Sequence, residues 1–211
     1  HHEVEIIDFN WVKSINPVKY DCIGISSMTK DYGQAITLAK GIKKFLQIPI
    51  IIGGVHISTL PDSIDPIFNV GIRGEGELNF IKALNIRNLN QLKGHILEPQ
   101  IVDNIDSLPY PDWSLADKRY FDYQPNTTWS EFCREGVMLT SRGCPYNCIF
   151  CSSKSFWGNK VRFHSPAYVG RADVVFDPDL KPLEGIIPIK YWKVVNSVPQ
   201  EMDVNEKAAV D

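Results

Sequence analysis

The chain has 211 residues, 44% of them hydrophobic, and a formal net charge of -3; that is enough apolar material for one or two domains and excludes wholesale disorder. The mildly acidic balance argues against a nucleic-acid binder, which would show a basic excess or stripe. No apolar run approaches the roughly 20 residues that cross a bilayer, and His1-His2-Glu3-Val4 has neither the basic nor the apolar region of a secretory signal, so a soluble cytoplasmic protein is expected.

The first third alternates strand-like and helix-like segments. Val4 to Asp8 is a short strand candidate, and Asp21 to Met28 a second that ends in small polar residues. Asp31 with Gln34 has the spacing of a capping box, and Ala35, Leu38, Ala39, Ile42 and Leu46 follow at helical spacing. Pro49 to Gly54 is a β-branched run of the kind buried on both faces of a parallel sheet. Ser58 to Ile64 reads as a short helix, Asn69 to Arg73 as a strand, and Leu78, Phe80, Ile81 and Leu84 as one more helix.

This alternation predicts an α/β fold of βαβ units on an open parallel sheet. Ligands of such sheets bind beyond the carboxyl ends of the strands. The residues expected there are Ser26, Ser27, Met28 and Thr29, then Gly53, Gly54 and His56, then Gly74, Glu75, Gly76 and Glu77. Glycines at those ends let a backbone approach a bulky ligand; equally, they make tight βα turns. From Ile101 to Pro125, prolines and aspartates interleaved with Leu108, Tyr110, Trp113 and Phe121 read as a linker packed by aromatics, placing a domain boundary near residue 100. Val137 to Thr140 is a strand candidate leading into Ser141-Arg142-Gly143-Cys144.

Five cysteines without a signal peptide do not make a secreted disulfide framework. Cys22 reads as a small core residue and Cys133 stands alone, whereas Cys144, Cys148 and Cys151 follow a C-x3-C-x2-C spacing. Three thiolates on one loop can bind three irons of a cubane cluster and leave the fourth open to a substrate or cofactor. Structural zinc is the alternative, with Cys133 or His164 as a fourth ligand, neither at a usual spacing.

The stretch Thr140-Ser141-Arg142-Gly143-Cys144-Pro145-Tyr146-Asn147-Cys148-Ile149-Phe150-Cys151 resembles the cluster loop of radical S-adenosylmethionine enzymes. Upstream, Tyr20 to Thr29, Gly53-Gly54-Val55-His56, Arg73-Gly74-Glu75-Gly76-Glu77 and the linker Ile105 to Trp113 resemble the branch in which a cobalamin-binding domain precedes the radical domain. Downstream, Phe156 to Pro166 continues the likeness. The resemblance implies a [4Fe–4S] cluster on Cys144, Cys148 and Cys151, and S-adenosylmethionine beside Phe150. It also implies cobalamin at the strand-end residues, an electron donor such as flavodoxin or ferredoxin, and radical methyl transfer or another radical reaction on a small molecule.

It divides the chain into a cobalamin-type Rossmann-like domain over 1–100, a linker over 101–130, the beginning of a radical partial barrel over 131–169 and an extension over 170–211. By the same resemblance a strand and helix would precede Val4, and further βα units would follow Val169. Two departures stand out. His56 lacks the aspartate two positions before it and the glycine three after it that accompany a cobalt-ligating histidine, since Gly54 and Thr59 occupy those places. The tail over 170–211 has no family counterpart. It shows turns at Asp177-Pro178-Asp179 and Lys181-Pro182, a strand-like run from Ile186 to Val195, and an Asp203/Glu206 helix cap. A truncated or fused, non-catalytic remnant is therefore the competing reading.

Overall fold

The computed structural model describes residues 2–8, 17–116, 139–169, 192–195 and 198–201. Contacts divide the chain into two compact units, one of Lys13–Leu108 with Ser141–Phe163, the other of His1–Val12, Pro109–Thr140 and His164–Asp211.

The first unit is built on a parallel sheet of β1 (Ile23–Ser26), β2 (Ile50–Gly53), β3 (Val70–Ile72) and β4 (His95–Leu97), in that spatial order. Helices α1 (Tyr32–Lys43), α2 (Val55–Thr59) and α3 (Glu77–Leu84) lie between successive strands in the chain. The α/β fold and parallel sheet expected from the sequence are thus present. Side chains of β2 alternate between two cores, as the two-residue period of a strand dictates. Ile50 and Ile52 pack with Ala35, Ala39, Ile42, Ile57 and Phe68, while Ile51 packs with Val70, Ile72 and Ala83. Helices therefore cover both faces, which is why the β2 run is continuously apolar. Asn69 stitches the sheet to its surroundings: its carbonyl oxygen accepts the Ile50 N–H and the Lys43 ammonium, and its amide donates to the carbonyls of Leu89, Asn90 and Leu92.

Several local expectations differ from the structure. Residues 2–8 adopt no regular secondary structure, with Val4 and Ile6 exposed. The Asp31/Gln34 capping box is not formed. A 3-10 turn over Thr29–Asp31 runs straight into α1, so Asp31 already has helical dihedrals and its side chain caps nothing. The helix expected over Ser58–Ile64 starts earlier, after Gly54, and stops at Leu60, whose extended φ of -127° reflects the constraint that Pro61 places on its predecessor. β4 escaped the sequence reading because three residues carry too little periodicity.

A hairpin closes the unit. β5 (Ser141–Arg142) pairs antiparallel with β6 (Arg162–Phe163), and α4 (Ser153–Trp157) lies between them. The strand expected over Val137–Thr140 falls partly outside the described residues; pairing begins at Ser141.

In the second unit, α5 (Pro166–Val169) starts with the Tyr168 N–H bonded to Ser165 Oγ. Tyr110 and His164 both stack on Tyr168, at 4.2 and 3.9 Å between ring centroids. β7 (Trp192–Val195) pairs with β8 (Val198–Glu201) in an antiparallel hairpin, in line with the strand-like run ending at Val195. Cys133, the turns over 177–182 and the Asp203/Glu206 cap lie outside the described residues.

Candidate functional site

The carboxyl ends of β1, β2 and β3 open onto a pocket of about 330 Å³. Ser26, Gly53, Gly54, Gly74 and Gly76, all expected there from the sequence, line it. Phe80 of α3 and Phe156 of α4 line it too, although the sequence offered no sign that an aromatic from beyond the cysteines would reach a strand end.

Two of the glycines have opposite causes. At Gly54, φ is +96° and a Cβ would fall 2.6 Å from the Ser27 carbonyl oxygen, so the chain itself requires glycine there. Gly76 has an ordinary φ of -87°, and a Cβ there would meet nothing within 4 Å. Neither backbone nor packing demands glycine at Gly76, and its missing side chain leaves room beside the pocket.

The other strand-end residues are placed differently. Ser27 is buried, donating its N–H to the Gly53 carbonyl and its hydroxyl to the Met28 carbonyl. Met28 is exposed. His56 is buried, stacked 3.9 Å from Tyr32, and does not line the pocket. Ser63 Oγ donates to the Leu60 carbonyl and lies 2.9 Å from His56 Nε2, so Nε2 carries the proton and donates to Ser63. Nδ1 then accepts from the Thr29 hydroxyl at 3.3 Å. With both ring nitrogens engaged, and its pKa held below the ordinary value by burial, His56 offers no lone pair to a metal. Cys22 is half-buried against the sheet face that carries Ile51, Val70 and Ile72, and burial pushes its thiol up to about 11, which makes it an inert packing residue.

The cysteine loop springs from the β5–β6 hairpin. Gly143, at φ +96°, passes so close to Lys160 that a Cβ would sit 2.1 Å from the Lys160 carbonyl oxygen. The Cys144 N–H donates to the Gly158 carbonyl at 3.2 Å, closing the base of the loop. Cys144 is half-buried, Cys148 and Cys151 are exposed, and none is in a disulfide. Cys151 Sγ lies 3.3 Å from Ser153 Oγ, and hydrogen bonding from Ser153 holds its thiol below the ordinary value. Phe150 is 88% exposed, with Tyr146 and Ile149 exposed beside it.

Arg142 and Arg162 are direct cross-strand partners in this hairpin. The buried Arg162 is ion-paired with the buried Glu75 and donates to the carbonyls of Val102 and Trp157 at 2.6 and 2.9 Å. Arg142 pairs with Glu77 at 2.7 Å, lies 3.6 Å from Glu75 and stacks over Trp157. Glu75 also accepts the Val102 N–H. Glu75 and Glu77, expected at the strand-end ligand site, are thus turned to the cysteine hairpin. Arg142 is thus held in an ion pair in which its own side chain is mostly buried and Glu77 is partly exposed.

Among the described residues, no three His, Cys, Asp or Glu side chains converge to hold a metal ion; the three thiols share a loop without being gathered. Their chemistry fits an iron–sulfur cluster: soft ligands, free of disulfides, one of them biased toward the thiolate that metals bind. The glycine-lined pocket, with the vacant position at Gly76, fits one edge of a bulky flat group such as cobalamin, but His56 does not fit the role of cobalt ligand.

The fold and site define an α/β protein whose strand-end pocket and three-cysteine loop belong to one compact unit. The chain is 31% identical over 192 residues to an uncharacterised methyltransferase of Pyrococcus horikoshii, covering 78% of this chain and 40% of that protein. It is 27% identical over 168 residues to the bacteriochlorophyllide d C-8(2)-methyltransferase of Chlorobaculum tepidum, covering 78% of this chain and 35% of the relative. An anaerobic magnesium-protoporphyrin IX monomethyl ester cyclase of Cereibacter sphaeroides is 26% identical over 127 aligned positions, covering 51% of this chain and 20% of the cyclase. The chain therefore spans two fifths or less of the length of these relatives. No protein-family model matches it. No helix among the described residues is long and apolar enough to cross a membrane.

Proposed function

We propose that this chain carries the cofactor-binding part of a radical S-adenosylmethionine protein, with a [4Fe–4S] cluster on Cys144, Cys148 and Cys151 and cobalamin at the strand-end pocket. The observation that carries the reading is the closed three-cysteine loop in the same unit as the glycine-lined pocket. Methyl transfer to a small molecule is the reaction we favour, because two of the relatives named above are methyltransferases. When bound, the reduced cluster supplies the electron that cleaves the sulfonium of S-adenosylmethionine to a hydrogen-abstracting 5′-deoxyadenosyl radical.

The residues of this chain have simpler tasks. The three thiolates ligate. The exposed Phe150 offers a ring face for the adenine of S-adenosylmethionine. Ser26, Gly53, Gly54, Gly74 and Gly76 admit cobalamin, Phe80 and Phe156 shield it from water, and cobalt takes no ligand from His56. An external reductant such as flavodoxin or ferredoxin feeds the exposed loop, and the setting is cytoplasmic.

Anaerobic incubation of the reconstituted chain with S-adenosylmethionine and dithionite tests the radical step, and release of 5′-deoxyadenosine is expected. Its absence from a chain with full cluster content would favour the non-catalytic remnant. Titration with hydroxocobalamin followed by gel filtration tests the pocket; a chain that elutes colourless overturns that part of the reading.

A further inference from the structure

The Glu75–Arg162 pair has a cause beyond local packing. Arg142 and Arg162 face each other across β5–β6, and two like charges directly opposite destabilise a strand pair. The loop Arg73-Gly74-Glu75-Gly76-Glu77 delivers two carboxylates to them, and the four charges cancel. Glu77, the first residue of α3, also places its carboxylate at the favourable end of the helix dipole. Glu75 and Arg162 are 1% and 2% exposed, and both bind the Val102 backbone, Glu75 accepting its N–H and Arg162 donating to its carbonyl.

The neighbours of this pair form the pocket. Gly74 and Gly76 flank Glu75, and Phe156 precedes Trp157, whose carbonyl Arg162 holds. Through the same arginine the pair reaches the hairpin that closes below Cys144.

We propose that Glu75 and Arg162 are positioning residues that lock the cysteine loop to the strand-end pocket at one fixed spacing, an inference that rests on the functional reading above for what the spacing serves. With it, a group in the pocket and a metal on the loop address one substrate. Without it, each site still binds, but the cysteine loop is less ordered and no longer in register with the pocket.

Hydrogen exchange followed by mass spectrometry on the metal-free chain tests the lock, using Glu75→Gln, which keeps a hydrogen-bonding side chain and loses the charge, and Arg162→Lys, which keeps the charge and loses the fork. Peptides spanning 139–163 should lose protection by about tenfold or more, while peptides of β1, β2 and β3 stay within about twofold of wild type. Unchanged protection of the hairpin in both variants overturns the proposal. So does equal loss across the sheet in both, which would make the pair a general stability element.

A second arm uses the chain reconstituted with iron and sulfide. Glu75→Gln should keep its iron content, while the change in the reduced cluster's electron paramagnetic resonance spectrum on adding S-adenosylmethionine becomes broader than in wild type. An identical spectral change in the variant contradicts a positioning role. If the wild-type chain takes up no iron, the radical reading fails and the exchange arm still decides the lock.

Discussion

The four-stranded sheet and the cysteine hairpin are held by different forces. The sheet buries Ile50, Ile51, Ile52, Ile57, Phe68 and Val70 almost completely, and burial of apolar area sustains it. The hairpin has two residues per strand and an exposed loop. It is kept in place by a buried ion pair, two peptide contacts to Val102 and a glycine turned to φ +96°. An apolar core tolerates partial losses, whereas a buried charge pair fails as soon as one partner is removed. The part that would carry the metal therefore hangs on fewer and more specific contacts than the scaffold behind it.

Arg162→Met should have the largest effect. It leaves the Glu75 carboxylate buried and unpaired, so the hairpin's own opening in urea should become easier by about 3–5 kcal/mol, with the sheet's transition little changed. A loss no larger than that of an exposed ion pair would show that the hairpin does not depend on this contact. Ile52→Ala is the corresponding change in the sheet. It should cost about 2–4 kcal/mol through the cavity left among Ala35, Ala39 and Phe68, and lower the protection of sheet and hairpin together, since the hairpin is anchored to the sheet's own loops.

Much of the sheet was legible in the sequence because period and composition carry it. The β2 run announced burial on both faces, and Ala35, Ala39 and Ile42 recurred at helical spacing. The strand-end glycines were legible as a group, and five of the expected residues do line the pocket. What escaped was long-range pairing. No local pattern says that Glu75 meets Arg162, 87 residues away, or that Phe156 completes a pocket at Gly24 and Gly53. The Asp31/Gln34 capping box failed for the converse reason: a local pattern was present, but the preceding 3-10 turn had already started the helix. The neighbours of His56 in sequence differ from those of a cobalt-ligating histidine, and in the structure its two ring nitrogens are engaged by Thr29 and Ser63.

Two smaller effects sharpen the contrast between scaffold and site. Gly76→Ala should change stability by less than about 0.5 kcal/mol, because its φ is ordinary and its Cβ would be unobstructed, yet it should weaken hydroxocobalamin binding in a spectrophotometric titration. Unaltered binding would remove Gly76 from the ligand's path. The smallest effect is the pH dependence carried by His56. Burial holds its pKa below the ordinary value, so the unfolded chain takes up the proton first on acidification. The stability it contributes is complete above the ordinary imidazole value of about 6.5 and is lost as pH falls through that value toward the folded one. His56→Gln should flatten this part of the stability profile between about pH 7 and 5; an unchanged slope would assign it to other groups.

On the proposed function, Cys144, Cys148 and Cys151 together hold an iron–sulfur cluster. Anaerobic reconstitution with iron and sulfide, followed by metal analysis of wild type beside Cys148→Ala, tests it most directly. About four irons per wild-type chain and loss of the cluster in the variant are expected. Stoichiometric zinc without iron in the wild type, or full iron content in Cys148→Ala, would contradict it.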